Sequence, residues 1–97
     1  MRADFDSRAN ALYIDLTGAT RASHAVEIDY RCSVDVDAED RPIGVEVLYL
    51  DKPYDDFLRT AAERFGLDAE ALIGIARAAV AAPDREVTMH VGVRAAA

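Results

Sequence analysis

The sequence predicts an α+β fold: an antiparallel β-meander of about five strands, a helical hairpin packed on the sheet, and a final C-terminal strand. Three observations predict it. Up to Leu50, apolar residues recur at every second position, the period of a strand. From Tyr54 to Val80 they recur every three or four positions, the period of an amphipathic helix. From Val87 to Val93 the two-residue period returns. The 97 residues suit one domain, read as a meander over 1–50 and a helical hairpin plus last strand over 51–97.

Each element follows from its residues. Ala3 and Phe5 alternate with Arg2, Asp4 and Asp6, and Leu12, Ile14 and Leu16 alternate with Ala11, Tyr13 and Asp15. Val26, Ile28 and Tyr30 alternate with Ala25, Glu27 and Asp29, and Cys32, Val34 and Val36 alternate with Ser33, Asp35 and Asp37. These four strands each have one apolar and one wet face. The fifth, Ile43 to Leu50, is apolar on both sides, so it is either central in the sheet or covered by something else. The connections carry turn residues (Asp6 to Asn10, Thr17-Gly18, Asp37 to Pro42) and are too short for parallel crossovers, so the strands are expected to be antiparallel. Tyr54, Phe57, Leu58, Ala61, Ala62 and Phe65 form one helical stripe, with Asp51 as the expected cap, Pro53 in the first turn and Gly66 just past the end. Asp68 is the expected cap of a second helix, striped by Leu72, Ile75, Ala76, Ala79 and Val80 and ending before Pro83. Val87, Met89, Val91 and Val93 form the last strand.

Composition narrows the function classes. The formal charge is −7, and residues 1–50 carry five Arg against ten Asp and Glu. Nucleic-acid binding draws much of its affinity from Lys and Arg on phosphate, so direct nucleic-acid binding is not expected. A basic protein is the natural complement. No apolar run approaches the roughly 20 residues of a membrane span, and Asp4 and Asp6 stand where a secretory leader needs an apolar core. A cytoplasmic location is expected, and the single cysteine, Cys32, fits a reducing compartment. Arg outnumbers Lys ten to one and alanine is abundant, the coding bias of a GC-rich bacterial genome.

The segment Phe5-Asp6-Ser7-Arg8-Ala9-Asn10-Ala11-Leu12-Tyr13-Ile14-Asp15-Leu16, followed by the acidic strand Val34-Asp35-Val36-Asp37 and by Ile43-Gly44-Val45-Glu46-Val47-Leu48, resembles the bacterial family catalogued as domain of unknown function 2283. The resemblance covers roughly residues 3–50. It implies a small β-meander domain and brings no established activity. Some members of that family are thought to be encoded beside small ribonuclease-like toxins, which implies an antitoxin role for part of it. Residues 51–97 extend beyond the usual length of the family.

The chemistry-bearing residues do not assemble into a catalytic pattern. Asp35, Asp37, Glu39 and Asp40 form the densest acidic cluster. Alternating oxygen ligands suit calcium or magnesium, but this spacing lacks the EF-hand pattern, and a solvated turn is the expected role. His24 and His90 fall on wet faces and Cys32 on a buried one, so no zinc set is expected and Cys32 reads as a small hydrophobe. Ser7, Ser23 and Ser33 lack a nucleophile elbow, and no glycine-rich phosphate loop precedes a helix. Gly44 interrupts its strand, as at a bulge or a close backbone approach.

The resulting expectation is a non-enzymatic interaction module without a cofactor, possessing Asp35, Asp37, Glu39, Asp40 and Glu46 as the candidate partner-binding residues. Its basic partner follows from charge, and an antitoxin-like role from the resemblance. Small domains bury more surface by associating. The strands at Ile43–Leu50 and Val87–Val93 are the candidate edges, so a homodimer is the expected assembly. The alternative is a small-molecule- or metal-binding protein with a pocket between sheet and helices, involving Tyr13, Tyr30, Tyr49, Tyr54 and Glu46.

Overall fold

The computed structural model describes residues 1–18 and 21–90. Six strands, β1 (Arg2–Asp6), β2 (Ala11–Asp15), β3 (His24–Asp29), β4 (Cys32–Val36), β5 (Pro42–Leu48) and β6 (Glu86–Thr88), form one sheet. Two helices, α1 (Asp55–Phe65) and α2 (Ala69–Ala81), lie between β5 and β6 in the chain. Every strand pair is antiparallel.

The order across the sheet is β3-β4-β5-β2-β1-β6. Thus β3, β4 and β5 form a meander, while β2 lies beside β5 instead of β3. Polarity accounts for this. β5, buried at Ile43, Gly44, Val45 and Val47, takes an interior place with two neighbours, whereas the more exposed β3 goes to an edge. The expected edge role of Ile43–Leu50 is therefore corrected: this segment is interior, and the edges are β3 and β6. Val91 and Val93 of the expected last strand lie outside the described residues.

Strand alternation delivers Leu12, Ile14, Cys32, Val34, Val36, Val45 and Val47 to one face, where all are buried. α2 covers β1, β2 and β6, and α1 covers β3 and β4. Leu58, Ala61, Leu72, Ile75, Ala76 and Ala79 face this layer and are fully buried. Each large aliphatic side chain so placed contributes roughly 1.5–3 kcal/mol. The alternation of β5 breaks at Tyr49, whose φ of 58° swings Leu50 into the core instead of leaving it on the outer face.

The helix ends match their sequence signals in part. Gly66 has the left-handed φ of 67° that closes α1, and Asp68 caps α2 by accepting from the Ala71 N–H at 3.1 Å. Asp51 does not cap α1. The helix begins at Asp55 after Tyr54, with no side-chain cap, and Asp51 instead accepts from Asn10 Nδ2 at 2.8 Å. The loop between β5 and α1 is longer than the apolar stripe implied, because the chain must first turn from the sheet plane onto its inner face.

Candidate functional site

Both helices pack on the inner face, and among the described residues no helix covers the outer face. Its residues follow from the register: Ala25 and Glu27 of β3, Ser33 and Asp35 of β4, Gly44, Glu46 and Leu48 of β5, Ala11, Tyr13 and Asp15 of β2, Arg2, Asp4 and Asp6 of β1, and Glu86 and Thr88 of β6. Seven of these are carboxylates and one is arginine. Arg2 donates to Asp15 at 2.9 Å and lies 4.0 Å from Glu86. Among the described residues, Asp4, Asp6, Glu27, Asp35 and Glu46 have no arginine, lysine or histidine in ion-pair range.

One aromatic side chain crosses this face. Tyr13 lies over Gly44, where any Cβ would collide with its ring, and its hydroxyl donates to Asp35 Oδ2 at 3.1 Å. Burial, then the neighbouring Asp35 charge, pushes the Tyr13 hydroxyl up to about 12, so it remains a donor across the ordinary pH range. This explains the strand glycine as a close approach and not a ligand site.

The five candidate partner-binding residues divide into two groups. Asp35 and Glu46 stand on the outer face, on adjacent strands. Asp37, Glu39 and Asp40 belong to the β4–β5 turn. There Asp37 accepts from the Glu39 and Arg41 N–H groups, each at 2.9 Å, and from Arg41 Nε at 2.8 Å. The Arg41 N–H, foremost among these bonds, holds the Asp37 carboxyl below its usual range. Arg41 also reaches Glu39 at 3.4 Å, and Asp40, with φ of 62°, lies 3.5 Å from His24. The turn acids are thus occupied in shaping the turn. Among the described residues, no three His, Cys, Asp or Glu side chains group to hold a metal ion. Cys32 is buried, and that burial, then Asp29, pushes its thiol up to about 12.

The tyrosines do not converge between sheet and helices. Tyr13 is on the outer face, Tyr30 is 68% exposed in the β3–β4 turn, Tyr49 is 46% exposed after β5, and Tyr54 packs beside the core. A groove of about 250 Å³ does lie between the sheet and the start of α2, lined by residues including Met1, Leu16, Pro42, Leu67 and Leu72, but it holds none of these tyrosines. Tyr30 and Glu46 instead line a second cleft of about 250 Å³ at the β3–β4 turn end of the sheet.

Sequence reasoning missed Arg31. It is only 5% exposed, and its guanidinium donates to the carbonyls of Leu48 (3.1 Å), Tyr49 (2.6 Å), Lys52 (3.2 Å) and Pro53 (3.0 Å) while lying 4.9 Å from the centre of the Phe57 ring. It pins the loop after β5 to the β3–β4 turn. An arginine in a polar turn reads as solvated, and no local pattern separates this one from the others.

No helix is long and apolar enough to cross a membrane among the described residues. No curated protein and no solved structure matches the chain. The model of a family described as protein of unknown function, DUF2283, matches residues 2–50, which run from β1 through β5 and the turn that follows. With half of its length matched, and with α1, α2 and β6 as an extension beyond the match, the chain belongs to the DUF2283 family.

Proposed function

We propose that the protein is a non-enzymatic interaction module that presents the outer face of its sheet to a basic protein. The observation that carries this reading is the uncovered face with seven carboxylates against one arginine. Such a field steers and orients a cationic partner, and it repels nucleic acid. An antitoxin-like role, with the face covering the basic groove of a ribonuclease-like toxin, is one concrete form. Two copies of this face repel each other, so homodimerisation is assigned to the edge strands β3 and β6. The absence of a nucleophile elbow or phosphate loop supports the non-enzymatic part of the reading.

Affinity purification of the tagged chain from its native host tests the proposal. A basic protein should accompany it at unit stoichiometry, should be released by high salt, and should be lost from a variant carrying Asp4→Lys and Glu86→Lys. Recovery without a stoichiometric partner, or retention of the partner by that variant, would overturn the reading.

A further inference from the structure

The groove between the sheet and the start of α2 lies at the end of the sheet where β2 stops and β5 begins, with Leu16 and Pro42 in its lining. Met1, just before β1, lines the same end, and Leu67, Ala71 and Leu72 form the helix side. Among the described residues, all of its lining except Thr17 and Asp68 is apolar. The chain is led to this groove by β6. Val87 stands opposite Ala3, which is buried on the inner face, so Val87 and Met89 belong to that face. The Met89 N–H donates to the Met1 carbonyl at 2.9 Å, and the Met89 carbonyl accepts from the Met1 amino group at 3.1 Å. The strand therefore leaves the described fold beside a residue of the groove wall.

Its direction follows from α2. β6 starts after residues 82–85, and Met89 reaches Gly74, about two turns back along the helix, where an added Cβ would lie 3.4 Å from Met89 Cε. The strand thus runs toward the N-terminus of α2. Two residues of extended chain advance about 6.6 Å, while one helical turn spans about 5.4 Å, so position 91 comes level with Ala71 and position 93 with Leu67. Both are groove residues.

We infer that the occupant of this groove is the chain's own segment Val91-Gly92-Val93, with Val91 against Ala71 and Val93 against Leu67 and Leu16. Three observations favour it. Val91 and Val93 continue the two-residue period of Val87 and Met89, which places both on the inner-face side. At about 250 Å³ the groove lies below the roughly 300–1,000 Å³ typical of pockets for whole small ligands, so it suits a few aliphatic side chains. The segment is tethered one residue beyond His90 at the mouth of the groove, and a short tether supplies an effective concentration on the order of millimolar, which favours it over a second copy's segment. Filled in this way, the seam between sheet and helices is closed core and takes no small molecule. The contact involves neither the outer face nor a partner of that face.

Nuclear Overhauser contacts between methyl groups of the whole chain test this, with labelled and unlabelled chains mixed to separate contacts within one chain from those between two. Contacts are expected within a chain, from Val91 to Ala71 and from Val93 to Leu67 and Leu16. Val93→Asp should lose them and lower Tm by about 5 °C, whereas Ala96→Asp, beyond the groove, should leave Tm where it is. Lack of these contacts in the parent would overturn the inference. So would contacts found only between chains, which would put a second copy's segment in the groove, or contacts from a co-purified small molecule to Leu16 and Leu67. Equal Tm values for Val93→Asp and Ala96→Asp would overturn it as well. The contacts are read on the parent, so they decide the matter even if Val93→Asp fails to fold.

Discussion

Arg31 shows how one residue can hold a junction that no sequence period announces. Its four carbonyl partners belong to residues 48–53, where the chain leaves the sheet with Tyr49 at φ of 58° and has not yet entered α1. Leu48 ends β5 and the Tyr49 carbonyl also accepts from the Lys52 N–H at 3.1 Å, but the Lys52 and Pro53 carbonyls lie outside every strand and helix, so the guanidinium replaces secondary structure there. Removing it takes this donor from the part-buried Lys52 and Pro53 carbonyls and unties the loop from the β3–β4 turn. Arg31→Ala is expected to destabilise the fold by about 3 kcal/mol. Arg31→Lys should recover less than half of that loss, since an ammonium cannot reproduce the fork or lie flat against Phe57. Urea unfolding midpoints of the three proteins check this, and an alanine variant within the error of the parent would remove Arg31 from its structural role. The Tyr13–Gly44 pair is more legible at this scale: a glycine inside a strand pattern already signals a close approach, although only the register identifies the ring that makes it.

At the scale of elements, the strands and helices were readable because each buries one face, and burial imposes its period on the sequence. Their junctions were less readable. Asp84, at φ of 61° between α2 and β6, accepts from the Ser7 N–H at 2.9 Å and from Ser7 Oγ at 2.6 Å, while its own N–H donates to the Phe5 carbonyl at 2.8 Å. This ties the end of the helical extension to the β1–β2 turn, 77 residues earlier in the chain. The Ser7 hydroxyl, then its N–H, holds the Asp84 carboxyl below its usual range. A carboxyl depressed in the folded state stabilises the fold above its unfolded pKa, near 3.9, and that contribution is lost as the pH falls through the folded value. The midpoint difference between the parent and Asp84→Asn should therefore be present at pH 6 and shrink toward pH 2.5. A difference independent of pH would show that the charge of Asp84 contributes nothing to the tie. Asp51 illustrates the same limit, since its position suggested a helix cap while the fold placed it beside Asn10.

Across the whole molecule, the dominant physical feature is the segregation of charge onto one face. With a net charge of −7 and, among the described residues, most outer-face carboxylates without a cation, self-repulsion opposes the folded state. Surface ion pairs such as Arg59–Glu70 and Arg77–Asp55 are exposed and contribute little for salt to remove. Raising sodium chloride from 10 to 200 mM is therefore expected to stabilise the protein by roughly 1 kcal/mol, or about 5 °C in Tm. A falling Tm would mean that attractive pairs outweigh the repulsion. The sequence by itself determined the α+β class, the strand and helix periods, the antiparallel pairing and the acidic balance, because those depend on neighbours a few residues apart. Only the tertiary structure decided that β2 joins β5, that β5 is interior, that Arg31 is buried, and that Glu27, Ser33 and Glu46 form one row. The physical reason is that strand order and register are chosen by packing between residues distant in the chain, and local periodicity is the same for every order that buries the same faces.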